Sequence, residues 1–514
     1  MKKSIMLGID IGSSSVKALL IDSDFTVIAM ADRKNPVLIP RPGWSEYKPE
    51  LWWDYVKQDI AECLQKAKIN ADNIISVGIS GCGCCMVPLD AQGNSVYNSI
   101  PWTDQRADEE VKFLEKNCRD LIFAKCGNIP NMLSPIPHLM WLKNNEKSIY
   151  DKTYKYTEAS GYIGQKFTGN FTLDYSMASA LDYGMDTARL DFDKDLIDAM
   201  DLDITKFPKL HANTESIGSI SAEVSKETGL KQGTPVYIAG LDIFAATIAA
   251  GATSSGQGFY STGSAGNMIV VSDKRTSSPN VTNAISITDS SLYYTFGSQG
   301  SLGYSFDWFV ENFCELEVKA SEMLNKTIKA YQIVDLEVAK SKPGAGGLLY
   351  MPYLFGKFHP DFNPDAQGVF FGIGPTTTKI DMLRAVMEGA VFNMYETIKV
   401  INGLGVKLEQ IITSGGPSRS AIWCQIMSDI TGISIKSIDI PEATAIGSAL
   451  LGGIGAGLFK SFDDVNKKYE KPARIYEPDM ANHNIYEKLF EIYKVVYSGS
   501  VEGFEKLMHF KKNL

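Results

Sequence analysis

The sequence has no hydrophobic run long enough to cross a bilayer, because charged residues or strong helix breakers interrupt every long apolar stretch. It also lacks basic charge: 50 Lys and Arg stand against 60 Asp and Glu, for a formal net charge of −10 in 514 residues. An acidic chain repels phosphate backbones, so we expect neither a membrane nor a nucleic acid as partner. Asp10 interrupts the first apolar run and no small-residue cleavage site follows, so no secretory signal is expected either.

Metal-binding and P-loop patterns are missing as well. The five histidines show no ligand spacing, and the Cys-x-Cys-Cys cluster at residues 82–85 has no matched second pair, so a zinc-type site is not expected. Cysteines so close together in a long chain without a signal indicate reduced thiols and a cytoplasmic protein. No G-x-x-x-x-G-K-[ST] motif occurs, which excludes a P-loop nucleotide site.

The length of the chain exceeds what one core usually supports, so two domains are expected. The small, polar segment GATSSGQG divides the chain into domains 1–250 and 251–514. A strand–turn–strand pattern opens each half, with GSS in the first turn and STGSAG in the second, which indicates a weak internal duplication.

Hydrophobic periodicity gives an α/β fold in which strands and helices alternate. The predicted strands are 4–11, 15–21, 26–31, 74–79, 234–239, 259–261, 267–271 and 411–416, and the predicted helices are 49–68, 243–250, 379–402, 443–457 and the tail from 484.

The first motif whose residues suit ligand binding or catalysis is GIDIGSSSVKALLID. Gly12, Ser13 and Ser14 offer consecutive N–H groups in a tight turn, which suits phosphate oxygens, and Asp10 stands where a carboxylate can hold a phosphate-bound Mg²⁺. The alternative is an ordinary hairpin in which Gly and Ser only satisfy the turn geometry.

A second motif places Asp242 where a buried strand turns into a helix, in TPVYIAGLDIFAATIAAG. Ligands of α/β proteins bind beyond the carboxyl ends of strands, and a carboxylate there can accept the proton of an attacking hydroxyl. The alternative is that Asp242 is only a helix N-cap.

Two further segments are weaker candidates. Gly415 and Gly416 end a strand before a helix. Without side chains they allow a flat ligand to lie against the backbone, or they only form the turn that starts the helix. Trp102 and Asp104 lie beside Arg106 in PWTDQR, where an aromatic ring and charges can bind a sugar, or the charges form an ion pair at a helix start.

Taken in order, these segments resemble the FGGY carbohydrate kinases, a family that includes xylulose, ribulose, gluconate and glycerol kinases. The resemblance runs over nearly the whole chain and is carried by GIDIGSSSVKALLID, GWSEYKPELWW, PWTDQRADEE, FTGNFTLDYSMAS, GLLYMPYLFGKFHPDFNPDAQGVFFGI, RAVMEGAVFN, ITSGGPSRSAIWCQIMSDITG and EATAIGSALLGG. It implies two actin-like, ribonuclease-H-like ATPase domains with a deep interdomain cleft, ATP and Mg²⁺ between the domains, and the sugar deep in the first. It also leaves room for the last helix to pack back on the first domain.

By position, the resemblance implies a role for each candidate residue. Asp242 is the catalytic base, and Asp10 the metal-binding carboxylate. The residues assigned to the nucleotide and its phosphates are Asp10, Gly12, Ser13, Ser14, Ser15, Gly263, Ser264, Gly303, Gly415, Gly416 and Ser420. Those assigned to the sugar are Gly83, Cys84, Trp102, Asp104 and Asp242.

The chain departs from the family pattern in the sugar loop. Xylulose kinases carry Gln-Met-His after the strand, and glycerol kinases carry Arg-Glu at the last two of those positions, where this chain has Cys82, Gly83 and Cys84. The small residues predict a roomier pocket with fewer hydrogen bonds.

The sequence therefore predicts an ATP-dependent kinase that phosphorylates a hydroxyl of a small sugar, a ketopentose such as xylulose or a related ketose. The open alternatives are a kinase for another polyol, an aldonate or a dihydroxypentanedione-type signal, a non-catalytic sugar-binding relative, and an actin- or chaperone-type ATPase. Relatives that form dimers make a homodimer the expected assembly.

Overall fold

The computed structural model describes residues 3–325, 327–469 and 471–512. The chain folds into two compact units, each assembled from separate stretches. Unit 1 comprises Met1–Thr253, Asp273–Tyr294 and Pro441–Glu470, and unit 2 comprises Ser254–Ser272, Thr295–Ile440 and Lys471–Leu514. The sequence predicts a single boundary at residue 250, with everything after it in the second domain. The packing instead groups Pro441–Glu470 with the first unit.

The strands are, in chain order, β1 (Ile5–Ile11), β2 (Ser15–Asp22), β3 (Val27–Lys34), β4 (Ile74–Gly81), β5 (Cys85–Leu89), β6 (Ile100–Pro101), β7 (Lys155–Thr157), β8 (Thr172–Asp174), β9 (Met185–Asp186), β10 (Asp191–Phe192), β11 (Lys209–His211), β12 (Gly218–Ser219), β13 (Pro235–Leu241), β14 (Gln257–Thr262), β15 (Gly266–Ser272), β16 (Thr282–Ile285), β17 (Tyr293–Gln299), β18 (Leu349–Met351), β19 (Val369–Phe371), β20 (Gln410–Gly415), β21 (Ser434–Ile438) and β22 (Ala473–Tyr476).

The helices are α1 (Pro49–Ala67), α2 (Asp108–Asn117), α3 (Arg119–Cys126), α4 (Pro135–Asn145), α5 (Lys147–Lys152), α6 (Ala159–Thr168), α7 (Tyr175–Ala180), α8 (Lys194–Ala199), α9 (Ala222–Thr228), α10 (Asp242–Ala250), α11 (Leu302–Phe313), α12 (Glu315–Met323), α13 (Ala330–Val338), α14 (Lys379–Gly403), α15 (Ala421–Thr431), α16 (Ala443–Gly455), α17 (Phe462–Lys468) and α18 (Met480–Lys512). Every strand and helix predicted from the sequence is present, with ends shifted by a few residues.

The main sheet of unit 1 has the strand order β12-β13-β4-β1-β2-β3. β1 pairs antiparallel with β2 and parallel with β4, which in turn pairs parallel with β13. All residues of β1 are buried, because the strand lies in the interior of the sheet and is covered on its faces. The carboxyl ends of β1, β4 and β13 therefore meet at one edge of the sheet.

Unit 2 repeats this arrangement. Six strands of the seven-stranded second sheet follow in the order β17-β15-β14-β20-β21-β22, with β14 antiparallel to β15 and parallel to β20. Both sheets thus place a hairpin first and add two parallel strands on the side of its first strand. The shared order confirms the strand–turn–strand repeat that the two halves of the sequence predict.

Helix α16 packs on β1, β4 and α10 within unit 1, and glycines determine how closely the helix backbone approaches the sheet. A Cβ atom at Gly8 would overlap the carbonyl oxygen of Ala445, and one at Gly78 would overlap that of Ser448. The two bare positions let the helix backbone rest directly on the sheet. This contact brings a segment from near the end of the sequence to the first strand.

The terminal helix, α18, belongs to unit 2. Arg384 of α14 donates to the Tyr486 hydroxyl at 2.8 Å, and the hydroxyls of Tyr353 and Tyr493 lie 2.6 Å apart. These buried polar contacts fix the helix on the second unit. No helix in the described parts of the chain combines the length and apolar character that crossing a membrane would need.

The close contact of α16 can be tested with Gly78→Ala. We expect this substitution to lower the free energy of unfolding by about 2 kcal/mol or more, because the added methyl forces helix and sheet apart. Urea unfolding followed by circular dichroism measures the change. Gly403→Ala is the matched control, since nothing lies within 4 Å of a Cβ atom there. Equal stability of the two variants would contradict the packing described.

Candidate active site

Polar side chains gather at the sheet edge where β1, β4 and β13 end. Asp10 of β1 is in register with Ser80 of β4, and Ser80 is in register with Gly240 of β13. Asp242 then begins α10, two residues beyond Gly240. The topology therefore brings the two carboxylates singled out in the sequence to the same edge of one sheet.

The Asp10 carboxylate is held almost out of water, at 8% exposure. Burial, followed by the negative charge of Asp242, raises the pKa of Asp10 to about 8. Its only hydrogen bond among the described residues is from the Ser80 hydroxyl to Oδ1, at 3.3 Å, which leaves Oδ2 without a donor. A divalent cation would relieve this electrostatic cost, so the residue fits the predicted metal role.

Two charged residues beside Asp10 were not singled out from the sequence. Lys17 pairs with Asp10 across the β1–β2 hairpin, and its positive charge lowers the pKa of Asp10. The Lys17 ammonium lies 2.5 Å from Oε2 of Glu442, which precedes α16 in a left-handed backbone conformation with φ of 58°. Lys17 could have been found as part of the first motif, whereas nothing in the sequence places Glu442 here.

The Asp242 side chain is partly exposed at the start of α10. The N–H of Ile243 donates to its Oδ1 at 2.7 Å, and burial raises the pKa of Asp242 to about 6. The N-cap position is held by Leu241, so Asp242 does not fill the cap role that was its alternative. At neutral pH the carboxylate is largely ionised and able to accept a proton.

The cysteine loop lies next to this carboxylate. Cys84 is partly exposed, and burial together with the charge of Asp242 raises the pKa of its thiol, which therefore stays neutral. A Cβ atom at Gly83 would overlap the side chain of Met177 and lie 3.0 Å from Cδ1 of Leu241. The expectation of a roomier pocket is thus wrong at Gly83, because Met177 fills the space.

Trp102 and Asp104 occupy different environments. Trp102 is 40% exposed, whereas Asp104 is fully buried and accepts hydrogen bonds from the Ser45 N–H and from Arg106. The Arg106 guanidinium lies 3.8 Å from the centre of the Trp44 ring. These contacts support the ion-pair alternative for Asp104, in the interior instead of at the surface, and its sugar role stays a prediction.

The turn between β1 and β2 presents free donors. Ser13 and Ser14 are exposed, and neither backbone N–H has a protein acceptor among the described residues. The Gly12 N–H donates to the Ser15 carbonyl at 2.9 Å and so closes the turn, and Ser15 itself begins β2. Paired free N–H groups of this kind form a binding site for an anion.

The matching turn of unit 2 lies between β14 and β15. Gly263 and Ser264 are exposed, and their carbonyl oxygens accept from the N–H groups of Gly303 and Tyr304, both at 3.1 Å. The first turn of α11 thereby holds this glycine-serine turn in place. The structure brings together Gly263, Ser264 and Gly303, as the resemblance implied.

A pocket of about 270 Å³ opens beside this turn, entirely within unit 2. It is lined by Gly263, Ser264, Gly303, Phe306, Asp307, Lys329, Tyr331, Asp335, Gly416, Pro417, Arg419, Ser420 and Trp423. Gly415 instead packs against β14, where a Cβ atom would overlap the carbonyl of Thr262. The pocket is large enough for part of a small cofactor and has aromatic and charged walls.

Two of the lining residues interact directly. The Ser420 hydroxyl caps α15 by accepting from the Trp423 N–H at 3.2 Å, and it also bonds the Asp335 carboxylate. Burial raises the pKa of Asp335 to about 6. The sequence singled out Ser420 but missed the wall formed by Asp335, Tyr331 and Lys329, because α13 carries no motif.

Both halves of the chain match one family of known proteins. The sequence model of the FGGY family of carbohydrate kinases matches with its N-terminal domain over residues 5–249 and with its C-terminal domain over residues 258–456.

The chain belongs to the FGGY family of carbohydrate kinases. This FGGY kinase is 28% identical to a xylulose kinase of Staphylococcus epidermidis over 97% of each chain, and 27% identical to a gluconokinase of Bacillus subtilis over 90% of each chain. It superimposes on the crystal structure of xylulose kinase from Rhodospirillum rubrum with a TM-score of 0.88 and 26% identity, covering 98% of this chain and 100% of that one. It is an enzyme that phosphorylates a small sugar, and a kinase of this family takes ATP as a substrate.

The protein side chains alone do not form a metal cage. Within residues 3–325, 327–469 and 471–512, no three His, Cys, Asp or Glu side chains converge in a way that could hold an ion. A cation beside Asp10 would therefore need oxygen ligands from the phosphates of the nucleotide and from water, as Mg²⁺ sites commonly use.

The raised pKa of Asp242 predicts the acid limb of the pH profile. A base is active when ionised, so we expect kcat/KM to be level above about pH 6 and to fall roughly tenfold for each pH unit below it. The profile should be measured with saturating magnesium ions. An acid limb near pH 4, the ordinary value of about 3.9 for an aspartate, would contradict the burial of this carboxylate.

Proposed function

We propose that this FGGY kinase transfers the terminal phosphoryl group of ATP to a hydroxyl of a ketopentose such as xylulose, with Asp242 as the general base. The observation that carries the proposal is the Asp242 carboxylate, partly exposed at the edge where β1, β4 and β13 end and poised with a pKa of about 6. A base with a pKa just below neutral is ionised at rest and still basic enough to take the hydroxyl proton as the new P–O bond forms.

The glycine-serine turn of unit 1 would bind phosphate oxygens through its exposed N–H groups. Ser13 and Ser14 supply free donors in unit 1, and Gly263 and Ser264 form the equivalent turn of unit 2. Phosphoryl transfer depends mainly on positioning and on neutralising charge. Mg²⁺, held directly or through water by Asp10, would supply positive charge to the phosphate oxygens.

The adenosine part of ATP would occupy the pocket of unit 2. Its size, the aromatic rings of Phe306 and Trp423, and the bare backbone at Gly416 suit a flat base and a ribose. Asp335 offers a carboxylate that can accept from hydroxyl or amino groups. These features support the nucleotide-binding roles of Gly303, Gly416 and Ser420.

The charge around Asp242 favours a neutral sugar over a sugar acid. Asp10 lies close enough to feel the charge of Asp242, and Glu158 raises the pKa of the neighbouring Cys84 thiol. The nearby cation, Lys17, is paired with Glu442. The carboxylate of an aldonate would face repulsion here, so a ketose is preferred to the substrate named by the similarity to gluconokinase.

We place the reaction in the cytoplasm. All eight cysteines lie in the described ranges and are free thiols, among them Cys82 and Cys85 with sulfur atoms 3.3 Å apart. Neighbouring thiols that remain unpaired suit a reducing compartment.

Asp242→Asn tests the base. The amide keeps the size of the side chain but cannot accept the proton, so we expect turnover to fall about a thousandfold. ADP release in a coupled assay measures turnover, and titration with ADP should show unchanged nucleotide binding. Asp120→Asn is the matched control, an exposed acid in the first turn of α3. Near-normal turnover of Asp242→Asn would remove this residue from the role.

A substrate panel tests the sugar. We expect kcat/KM to be highest for a ketopentose and at least about tenfold lower for gluconate, because the Asp242 carboxylate, ionised at neutral pH, repels an anionic substrate. Xylulose, ribulose, gluconate, glycerol and xylitol should be compared in the same ADP assay. A preference for gluconate would contradict the electrostatic argument, and ADP release independent of any sugar would favour a plain ATPase.

A further inference from the structure

Three hydrogen bonds to its carbonyl oxygens hold the turn at Gly12–Ser14. The carbonyl oxygen of Gly12 accepts from the side-chain amide of Asn35 at 2.9 Å, and that of Ser13 accepts from the Tyr47 hydroxyl at 3.0 Å. The carbonyl of Ser14 accepts from the backbone N–H of Asn35 at 2.9 Å. Every carbonyl of the turn is therefore engaged on the protein side.

The orientation of Asn35 is fixed by Trp52. The indole N–H of Trp52 can only donate, and it donates to Oδ1 of Asn35 at 3.0 Å. The amide nitrogen of Asn35 must then face the Gly12 carbonyl. Asn35 is 5% exposed and Trp52 is fully buried, so this link is shielded from competing water.

The Tyr47 hydroxyl, which donates to the turn, is also shielded from water. Burial raises its pKa, which keeps the hydroxyl protonated and able to donate at every physiological pH. Its ring is 5% exposed and lies 5.8 Å from the Trp52 ring. The backbone of Tyr47 exchanges two hydrogen bonds of 2.9 Å with Ser99, which anchors the residue independently of the turn.

The N–H groups of Ser13 and Ser14 are free, in contrast to the carbonyls of the turn. Both residues are exposed, and neither amide has a protein acceptor among the described residues. If the turn relaxed, a carbonyl dipole could rotate toward the bound phosphate and repel it. A phosphate site built from backbone N–H groups thus needs its carbonyls restrained.

The second turn shows the same restraint by a different means. In unit 2 the carbonyls of Gly263 and Ser264 accept from the N–H groups of Gly303 and Tyr304 in α11. In unit 1 the corresponding donors come from Asn35, just after β3, and from Tyr47, just before α1. In both turns, hydrogen bonds to other parts of the protein occupy the carbonyl oxygens, although the donors differ. This recurrence indicates that both turns need their carbonyls restrained.

We propose that Asn35, Tyr47 and Trp52 are positioning residues that hold the Gly12–Ser14 turn in its phosphate-binding conformation. This inference rests on the proposed function, since it takes the turn to bind nucleotide phosphates. The three residues act through the turn and contact neither the sugar nor the nucleotide base. Their loss should weaken recognition of the phosphates selectively.

Two substitutions separate the contributions. Tyr47→Phe removes one donor and keeps the ring, and we expect about a five- to tenfold rise in KM for ATP, as for one lost hydrogen bond. Asn35→Asp replaces the amide donor by a carboxylate facing the Gly12 carbonyl, and we expect a larger rise. The KM for the sugar should stay unchanged in both variants.

Direct binding checks the same point without catalysis. Calorimetric titration with adenylyl imidodiphosphate, a non-transferable ATP analogue, should show the loss of affinity, while titration with AMP should not. Tyr162→Phe is the matched control, because the centre of its ring lies 6.3 Å from that of Trp52 and its hydroxyl makes no hydrogen bond to the turn. Thermal unfolding confirms that each variant is folded before it is titrated.

The outcomes distinguish this inference from the proposed function. Selective loss of analogue binding in Tyr47→Phe and Asn35→Asp, with Tyr162→Phe like the parent, is the expected result. Equal binding of the analogue by the parent and both variants would overturn the positioning role and leave the kinase assignment intact. If the parent protein binds the analogue no better than AMP, the turn does not bind the phosphates, and both proposals fall.

Discussion

Two carboxyl groups in poorly solvated surroundings, near the ends of β1 and β13, set the character of the first unit. Asp10 and Asp242 are supported by few hydrogen bonds, so burial raises the pKa values of these carboxyl groups to about 8 and about 6. Lys17 offsets part of this cost but is tied to Glu442. Such a site is electrostatically incomplete, and a cation beside Asp10 would relieve much of this cost.

The glycine contacts of α16 are what make that arrangement possible. Because Gly8 and Gly78 lack side chains, the helix backbone lies on the sheet and Glu442 reaches Lys17 at the hairpin. The conformation of Glu442, with φ of 58°, is an unfavourable one for a residue with a side chain. The ion pair with Lys17 and the packing of α16 on the sheet both constrain the backbone here.

The two units use one topology with different local chemistry. Each has a glycine-serine turn between the first two strands of its sheet, and each withdraws the carbonyls of that turn. In unit 1 the sheet edge carries carboxylates, whereas in unit 2 the turn opens on the pocket lined by Asp335 and Trp423. The same strand order thus carries buried carboxylates in one unit and an open pocket in the other.

The sequence by itself determined the strands and helices, the two glycine-serine turns and the position of Asp242 at a strand–helix junction. Periodicity, turn residues and buried runs are local signals, and they act over a few neighbouring residues. Only the tertiary structure decided that Glu442 meets Lys17, 425 residues away, and that Met177 fills the space at Gly83. Such contacts follow from how helices pack on sheets, and no local pattern encodes which distant side chain will arrive.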